Sequence, residues 1–315
     1  MYKVFIDGGA GTTGLRLKER LSERKDIELL TISEELRKDA AEKKRITESS
    51  DITFLCLPDS AAKEAVANIS PDSKVKVIDA STAHRTNPDW LYGFPELSKE
   101  HREGLKTAKR VAVPGCHASG FNVIAYPLVK LGIVKPDYPF VCTSLTGYSG
   151  GGKSMIADYE GENRDIALGA PRTYALTQKH KHLPEMQAVP GISAPPIFMP
   201  VVADFYSGME VSLPIYANMM EKKMTAEDVH EVLSEYYGGQ KMISVLPFGG
   251  NDEEGGFFSS NALTGKDNME LLVAGNDERI LIMARYDNLG KGASGAAVQC
   301  MNIMLGCDES KGLVL

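Results

Sequence analysis

Short apolar runs separated by amphipathic stretches pattern the first third of the chain. Residues 4–6, Val-Phe-Ile, read as a buried strand; a glycine-rich turn follows, and 15–24 carries Leu17 and Leu21 at helical spacing. Further strands are predicted at 27–32, 52–57, 75–79 and 111–113. Between them lie a polar segment, 34–44, that reads as a short helix or a loop, and a helix at 61–69 capped by Asp59 or Ser60. Strands alternating with helices over 1–113 predict an α/β, Rossmann-type, doubly wound parallel sheet.

After residue 131 the period changes. Strands are predicted at 140–145, 197–202, 209–216, 242–246, 269–274 and 280–286, with a hairpin turn at 275–278. Thr225 with Asp228 three residues on reads as a capping box for a helix running to 236. This is the pattern of a second, α+β domain built on a mostly antiparallel sheet. The helix at 293–305 is rich in small and apolar residues and is expected to return to the first domain. The expected division is 1–115 plus 289–315 for one domain and 116–288 for the other.

Composition narrows the function classes. A formal net charge of -7 argues against a nucleic-acid-binding surface. No run of 18 apolar residues occurs, so no membrane span is expected. The chain starts as a strand running into a glycine turn, without a signal-peptide pattern. Cysteines stand at 56, 116, 142, 300 and 307; an odd count without a CxxC pair suits reduced thiols in a cytoplasm.

Candidate chemistry falls into five stretches. Gly9, Gly11 and Gly14 form G-x-G-x-x-G between a strand and a helix, with Thr12 and Thr13 inside it. In that context the glycines let a pyrophosphate approach backbone N–H groups at the helix start, which makes the first domain dinucleotide-binding. Cys116 follows a β-branched run and Pro114-Gly115, which places it at or near the N-terminus of a helix over 118–131. There the helix dipole favours a thiolate, the nucleophilic form, and N–H groups can receive an oxyanion. Cys56, inside a predicted strand, reads as core. Residues 146–154 supply an anion-binding loop with Ser149, Gly150, Gly151 and Lys153. His180 and His182 flank Lys181, with Glu185 three residues beyond His182 to orient an acid or base. No second cluster with ligand spacing accompanies them, so no metal is expected. Finally, Asn288 and the glycines through Gly292 suit an amide and a ring such as those of a nicotinamide.

The cofactor signals conflict. Glu34 and Glu35 lie about 20 positions after the fingerprint, where an acid would bond the ribose hydroxyls of NAD. Ser33 ends the second strand, however, and Arg37 and Lys38 follow, which suits a 2′-phosphate. The expected cofactor is therefore NADP(H), with Ser33 and Arg37 discriminating.

Taken in order, these stretches make the chain resemble the N-acetyl-gamma-glutamyl-phosphate reductases, in their shorter form, over nearly its whole length. The carrying residues are 8–14, Pro114-Gly115-Cys116, 149–153, 180–185 and 288–295. The resemblance implies that Cys116 is acylated and that a histidine of the H-x-H-x-x-E stretch assists it. It implies NADPH-dependent reduction of N-acetyl-glutamyl phosphate to the semialdehyde and phosphate, within arginine biosynthesis. Arg85 or Lys153 would hold phosphate, and a homo-oligomer, dimer or tetramer, is expected. His117 departs from the family, where many relatives have Tyr, and stands as a second candidate base beside His182 and His180. Aspartate-semialdehyde dehydrogenase is the nearest rival; it places Asn before the Cys and Arg near the His, which match poorly here. A Cys-His hydrolase or acyltransferase lacks a use for the glycine fingerprint, and an NADP-binding sensor needs no reactive thiol.

Overall fold

In the computed structural model, which describes residues 1–250 and 255–315, the chain forms two units, Met1–Gly115 with Ala293–Leu313 and Cys116–Gly292 with Val314–Leu315. The first is built on β1 (Tyr2–Asp7), β2 (Ile27–Leu30), β3 (Ile52–Leu55), β4 (Lys76–Asp79), β5 (Leu91–Tyr92) and β6 (Arg110–Ala112). These form one parallel sheet in the order β2-β1-β3-β4-β6-β5. All four residues of β3 are buried, as expected of a parallel strand covered on both faces. Helix α1 (Thr12–Ser22) buries Leu17 and Leu21, one turn apart, in the core with Val4, Ile52 and Phe54. The helix at Gly295–Met304, which we number α9, adds Ala296, Ala297, Val298 and Met301 to that core. Helix α9 thus lies in the first unit, which takes up the chain again at Ala293, while 289–292 and 314–315, expected in the first domain, fall in the second unit.

Two local expectations change. The polar segment 34–44, expected as a short helix or a loop, divides between the two: a turn covers 34–38, and α2 (Ala40–Ser49) starts after Asp39, whose carboxylate accepts the Glu42 N–H at 2.7 Å. Asp39 is the better cap because its side chain reaches an unpaired amide of the first turn. Helix α3 (Asp59–Ala67) takes Pro58 as its N-cap. Asp59 lies within the first turn and accepts from Thr82 instead. Helix α4 (Lys99–Thr107), capped by Ser98, completes the unit.

The second unit carries a seven-stranded mixed sheet. Its strands are β7 (Val141–Gly147), β8 (Arg172–Thr173), β9 (Ile197–Ala203), β10 (Met209–Tyr216), β11 (Ile243–Val245), β12 (Met269–Gly275) and β13 (Arg279–Tyr286). The order is β11-β12-β13-β10-β7-β9-β8, parallel at β11–β12 and β7–β9 and antiparallel elsewhere. The predicted hairpin joins β12 to β13, with Asn276 and Arg279 exchanging backbone bonds at 3.0 and 3.2 Å. Helix α5 (Cys116–Lys130) packs on β10 and β13; α6 (Gly152–Glu160), α7 (Leu183–Ala188) and α8 (Ala226–Tyr236) complete the unit. The Thr225–Asp228 capping box forms with both of its bonds, at 2.7 and 3.1 Å. Among the described residues, no helix is long and apolar enough to cross a membrane.

Candidate active site

The glycine turn of the first unit has the geometry a dinucleotide requires. Gly8 has φ +88°, and a Cβ there would meet the Cys56 carbonyl oxygen at 2.3 Å. At Gly14 a Cβ would meet the Gly8 oxygen at 2.5 Å, so the helix can approach the turn only without a side chain. Gly9 and Gly11 are the opposite case, with no neighbour nearer than 3.7 Å, so a pyrophosphate can come up against bare backbone. Gly11 is the N-cap of α1 and makes no side-chain cap bond, so Thr12, Thr13 and Gly14 form a first turn suited to an anion. The residues present therefore fit a dinucleotide. Ser33 and Arg37 lie exposed beyond β2, and Arg37 is ion-paired with Glu34. A cavity of about 240 Å³ nearby in sequence is lined by Lys38, Lys43 and Lys44, with Lys43 bonded to the buried Asp7 at 2.9 Å. Arg85 donates to the carbonyls of Val113 and Ala80 at 2.9 and 3.1 Å, tying together the ends of β4 and β6.

In the second unit, Cys116 is the first residue of α5. Its turn is not an ordinary one. Tyr286 donates its hydroxyl proton to the Cys116 carbonyl at 2.6 Å and accepts the Gly120 N–H at 3.0 Å. A phenol thus stands within the i to i+4 bond that would otherwise close the turn, and opens it. Gly120 is required beneath it, because a Cβ would meet the Tyr286 oxygen at 2.7 Å and Val211 at 2.5 Å. Burial pushes the Tyr286 phenol well above its usual range, so it stays a proton donor. Gly292, read from sequence as a cofactor contact, packs against Cys116 itself: a Cβ there would lie 3.1 Å from the cysteine Cβ.

Cys116 lines a cavity of about 230 Å³ with His117, Thr146, Gly150, Gly151, Met155, Tyr174, His180, Lys181 and His182. The three imidazoles cluster, with ring centroids 4.7 to 5.6 Å apart. His182 is the N-cap residue of α7 and is 4 % exposed; its backbone N–H bonds His180 Nδ1 at 3.2 Å. Glu185 lies in the first turn of α7, buried. His117 is held on both ring nitrogens, by Ser144 and by Tyr174, each at 2.6 Å. Burial, reinforced by nearby His180 and Lys181, pushes its pKa down to about 3, so at neutral pH it is an uncharged imidazole.

The other sequence candidates divide. The 146–154 stretch is ordered, with a 3₁₀ turn at Tyr148–Gly151 running into α6, and Gly150 and Gly151 reach the cavity. Lys153 is exposed on α6 and is not among the cavity-lining residues. Asn288 donates to the buried Ser149 hydroxyl at 3.0 Å and accepts from Gly208 N–H at 2.9 Å, so its amide fastens that turn. Cys56 stands just past β3; burial, with Asp79 and Asp7 nearby, pushes its thiol up to about 12. Three residues that the sequence did not signal, Ser144, Tyr174 and Tyr286, complete the site. No motif marks them, because each acts through a partner distant in the chain. Among the described residues, no group of three His, Cys, Asp or Glu side chains is placed to hold a metal ion.

Comparison with known proteins agrees in chain order. Residues 3–105 match the family model described as semialdehyde dehydrogenase, NAD binding domain, and 116–288 match semialdehyde dehydrogenase, dimerisation domain. The first unit is thus a nicotinamide-cofactor-binding domain. N-acetyl-gamma-glutamyl-phosphate reductase 2 of Nostoc sp. is 44% identical over 99% of both chains. The reductase of Rhizobium meliloti is 43% identical over 96% of this chain and 98% of its own. Among solved structures, aspartate semialdehyde dehydrogenase from Francisella tularensis superposes with a TM-score of 0.71 at 16% identity, covering 97% of this chain and 100% of that one. Aspartate semialdehyde dehydrogenase II from Vibrio cholerae gives 0.71 at 19%, covering 97% and 99%. At such identities the likeness is one of fold. The full-length identity to the reductases is of another order, and on it, with both domain models matched in sequence, the chain belongs to the N-acetyl-gamma-glutamyl-phosphate reductase family.

Proposed function

We propose that the chain reduces N-acetyl-glutamyl phosphate to N-acetyl-glutamate semialdehyde and phosphate, as a cytoplasmic step of arginine biosynthesis, and prefers NADPH. The observation that carries this is Cys116 at the first position of α5, lining a cavity with His180, Lys181 and His182. In the mechanism, the Cys116 thiolate attacks the acyl carbon. The negative charge formed on the carbonyl oxygen is received by N–H groups of the helix turn, phosphate leaves, and a thioester remains. A bound reduced nicotinamide supplies the hydride that converts the thioester to the aldehyde. Expulsion of the aldehyde then returns Cys116 as a thiolate. We assign cofactor binding to Gly9, Gly11, Thr12, Thr13, Gly14, Ser33 and Arg37. Gly150 and Gly151 offer backbone donors to the substrate within the cavity, and Arg85 and Lys153 remain candidate phosphate ligands outside its lining.

The preference for NADPH is supported by Glu34 being engaged by Arg37, which leaves the Ser33 hydroxyl exposed beyond β2, and by the three lysines along the neighbouring cavity. The purified protein is expected to reduce NADP with N-acetyl-glutamate semialdehyde only when phosphate is present, and with a higher kcat/KM than for NAD. Turnover without phosphate, or better turnover of aspartate semialdehyde, would overturn the substrate reading. Equal kcat/KM for the two nucleotides would overturn the preference. An unchanged ratio in Arg37→Ala would remove Arg37 as its cause.

We further propose that the second unit forms a homo-oligomer. Its sheet has one face covered by helix α5, while Ile197, Met199 and Tyr216 point the other way and are 59%, 37% and 57% exposed. Register places Ile197 beside Val141 and Met199 beside Thr143, so the apolar positions adjoin on that face. An open apolar sheet face of this kind is a natural seat for a second copy. Light scattering should show that Ile197→Asp shifts the protein toward monomer; an unaltered assembly would place the interface elsewhere.

A further inference from the structure

His117 is hydrogen-bonded through both of its ring nitrogens. It is 3% exposed, with the Phe198 ring edge-on at 5.3 Å between centroids. Nδ1 faces Ser144 Oγ and Nε2 faces the Tyr174 hydroxyl. The direction of these bonds follows from Ser144, which lies on β7 and is 0% exposed. Among the described residues, His117 Nδ1 is the one hydrogen-bond partner of its hydroxyl. The serine proton must therefore go to Nδ1, since the reverse would bury a hydroxyl proton with no acceptor. A neutral ring with Nδ1 accepting carries its proton on Nε2 and donates it to the Tyr174 oxygen. The proton of Tyr174 is then directed away from His117, and Tyr174 lines the same cavity as Cys116. Burial and the nearby Cys116 sulfur raise the Tyr174 pKa, so the phenol keeps that proton.

The backbone fixes the same side chain. Tyr174 N–H bonds the Pro200 carbonyl at 3.0 Å, extending the pairing of β8 with β9. Ala175 and Gln178 then take left-handed φ values of +52° and +56°, uncommon for residues with a Cβ. The Gln178 amide holds Phe198 on both backbone groups, at 2.7 and 2.9 Å. Strained positions secured in this way occur where the surrounding structure over-determines a segment. Here the segment joins Tyr174 to His180 and His182.

We propose that Tyr174 is a hydrogen-bond donor to the negative charge that develops on the acyl oxygen in the Cys116 cavity, and that His117 is a positioning residue that sets its polarity through Ser144. This rests on the reading of Cys116 as nucleophile. No proton is transferred: the phenol donates to the oxyanion and keeps its hydrogen throughout. His117 accordingly has no nitrogen left to serve as a base.

Tyr174→Phe should lower kcat by roughly 10²-fold, the usual effect of removing one oxyanion donor, and leave the KM for the nucleotide unchanged. His117→Asn, too short to reach Tyr174, should cost about as much. The double variant should be no more than about threefold worse than Tyr174→Phe alone, because both changes remove one interaction. His117→Gln, whose amide can occupy the Nε2 position, should regain most of the rate. Nitrogen NMR of the unaltered full-length protein gives a readout independent of variants and substrate: His117 should be the Nε2–H tautomer and uncharged from about pH 5 to pH 8. A Nδ1–H tautomer, titration in the ordinary histidine range, penalties that multiply in the double variant, or Tyr174→Phe within about threefold of the unaltered rate would each overturn the proposal. An active Cys116→Ser protein would overturn the reading beneath it, and the proposal with it.

Discussion

Cys116→Ser is expected to lose turnover by at least about 10⁴-fold while still binding the nucleotide, as removal of a covalent nucleophile does elsewhere. Serine keeps the shape of the side chain but is a far weaker nucleophile at neutral pH. The carbonyl of residue 116 and its bond from Tyr286 belong to the backbone, so the opened turn of α5 should persist in the variant. The nucleotide turn lies on other residues, 8–14, and should be untouched. Cys56→Ser is the matched control and should keep its rate, since the Cys56 thiol is held protonated at neutral pH by burial and two nearby carboxylates. Cys142 is likewise buried, with its thiol pushed up. Steady-state rates and nucleotide binding measured on both variants decide the matter. A Cys116→Ser protein with near-normal kcat would end the thioester reading.

The second large effect concerns the histidine that we propose takes the Cys116 thiol proton to form the thiolate. His182→Asn should cost roughly 10²–10⁴ in kcat, the span expected for loss of a general acid or base. The geometry separates it from its neighbour. His180 accepts the His182 backbone N–H on Nδ1, so the neutral His180 ring carries its proton on Nε2 and presents a donor. His182 sits buried at the start of α7, with Glu185 in the following turn, and it is the imidazole we propose as the base. The expected signature is a lost limb in the pH–rate profile of His182→Asn and a smaller change in His180→Asn. A larger loss in His180→Asn would exchange the two roles. Losses below tenfold in both would place the base outside residues 180–182.

The elements of the first unit were legible because their signals are local. Apolar runs at 4–6, 52–57 and 75–79 are too short for core helices and are bounded by turn residues; the glycines between the first strand and helix are needed for backbone approach, which one sequence segment can display. Boundaries were less legible. The acidic and basic residues at 34–38 have helical propensity, yet the helix waits for Asp39, whose cap bond outweighs it. In the second unit the glycine stretch after β7 reads as a loop, but Tyr148, Ser149 and Gly147 are held by the backbone of 205–208, and a helix starts from that fixed point.

Within the site, the same distinction applies. Pro114-Gly115-Cys116, the fingerprint glycines and the H-x-H-x-x-E spacing are written in consecutive residues, so the sequence by itself marked the candidate nucleophile, the nucleotide turn and two candidate bases. Only the tertiary structure decided what surrounds them. Tyr286 reaches Cys116 across 170 positions, Tyr174 reaches His117 across 57, and Ser144 reaches it across 27. Those meetings depend on strand order and register, and a one-residue slip of β7 or β13 would turn Ser144 or Tyr286 to the opposite face of the sheet. The protonation of His117 follows the same rule: imidazole is ordinarily half-charged near neutrality, and only enclosure by Ser144, Tyr174, Phe198 and two further histidines makes it a fixed, uncharged link.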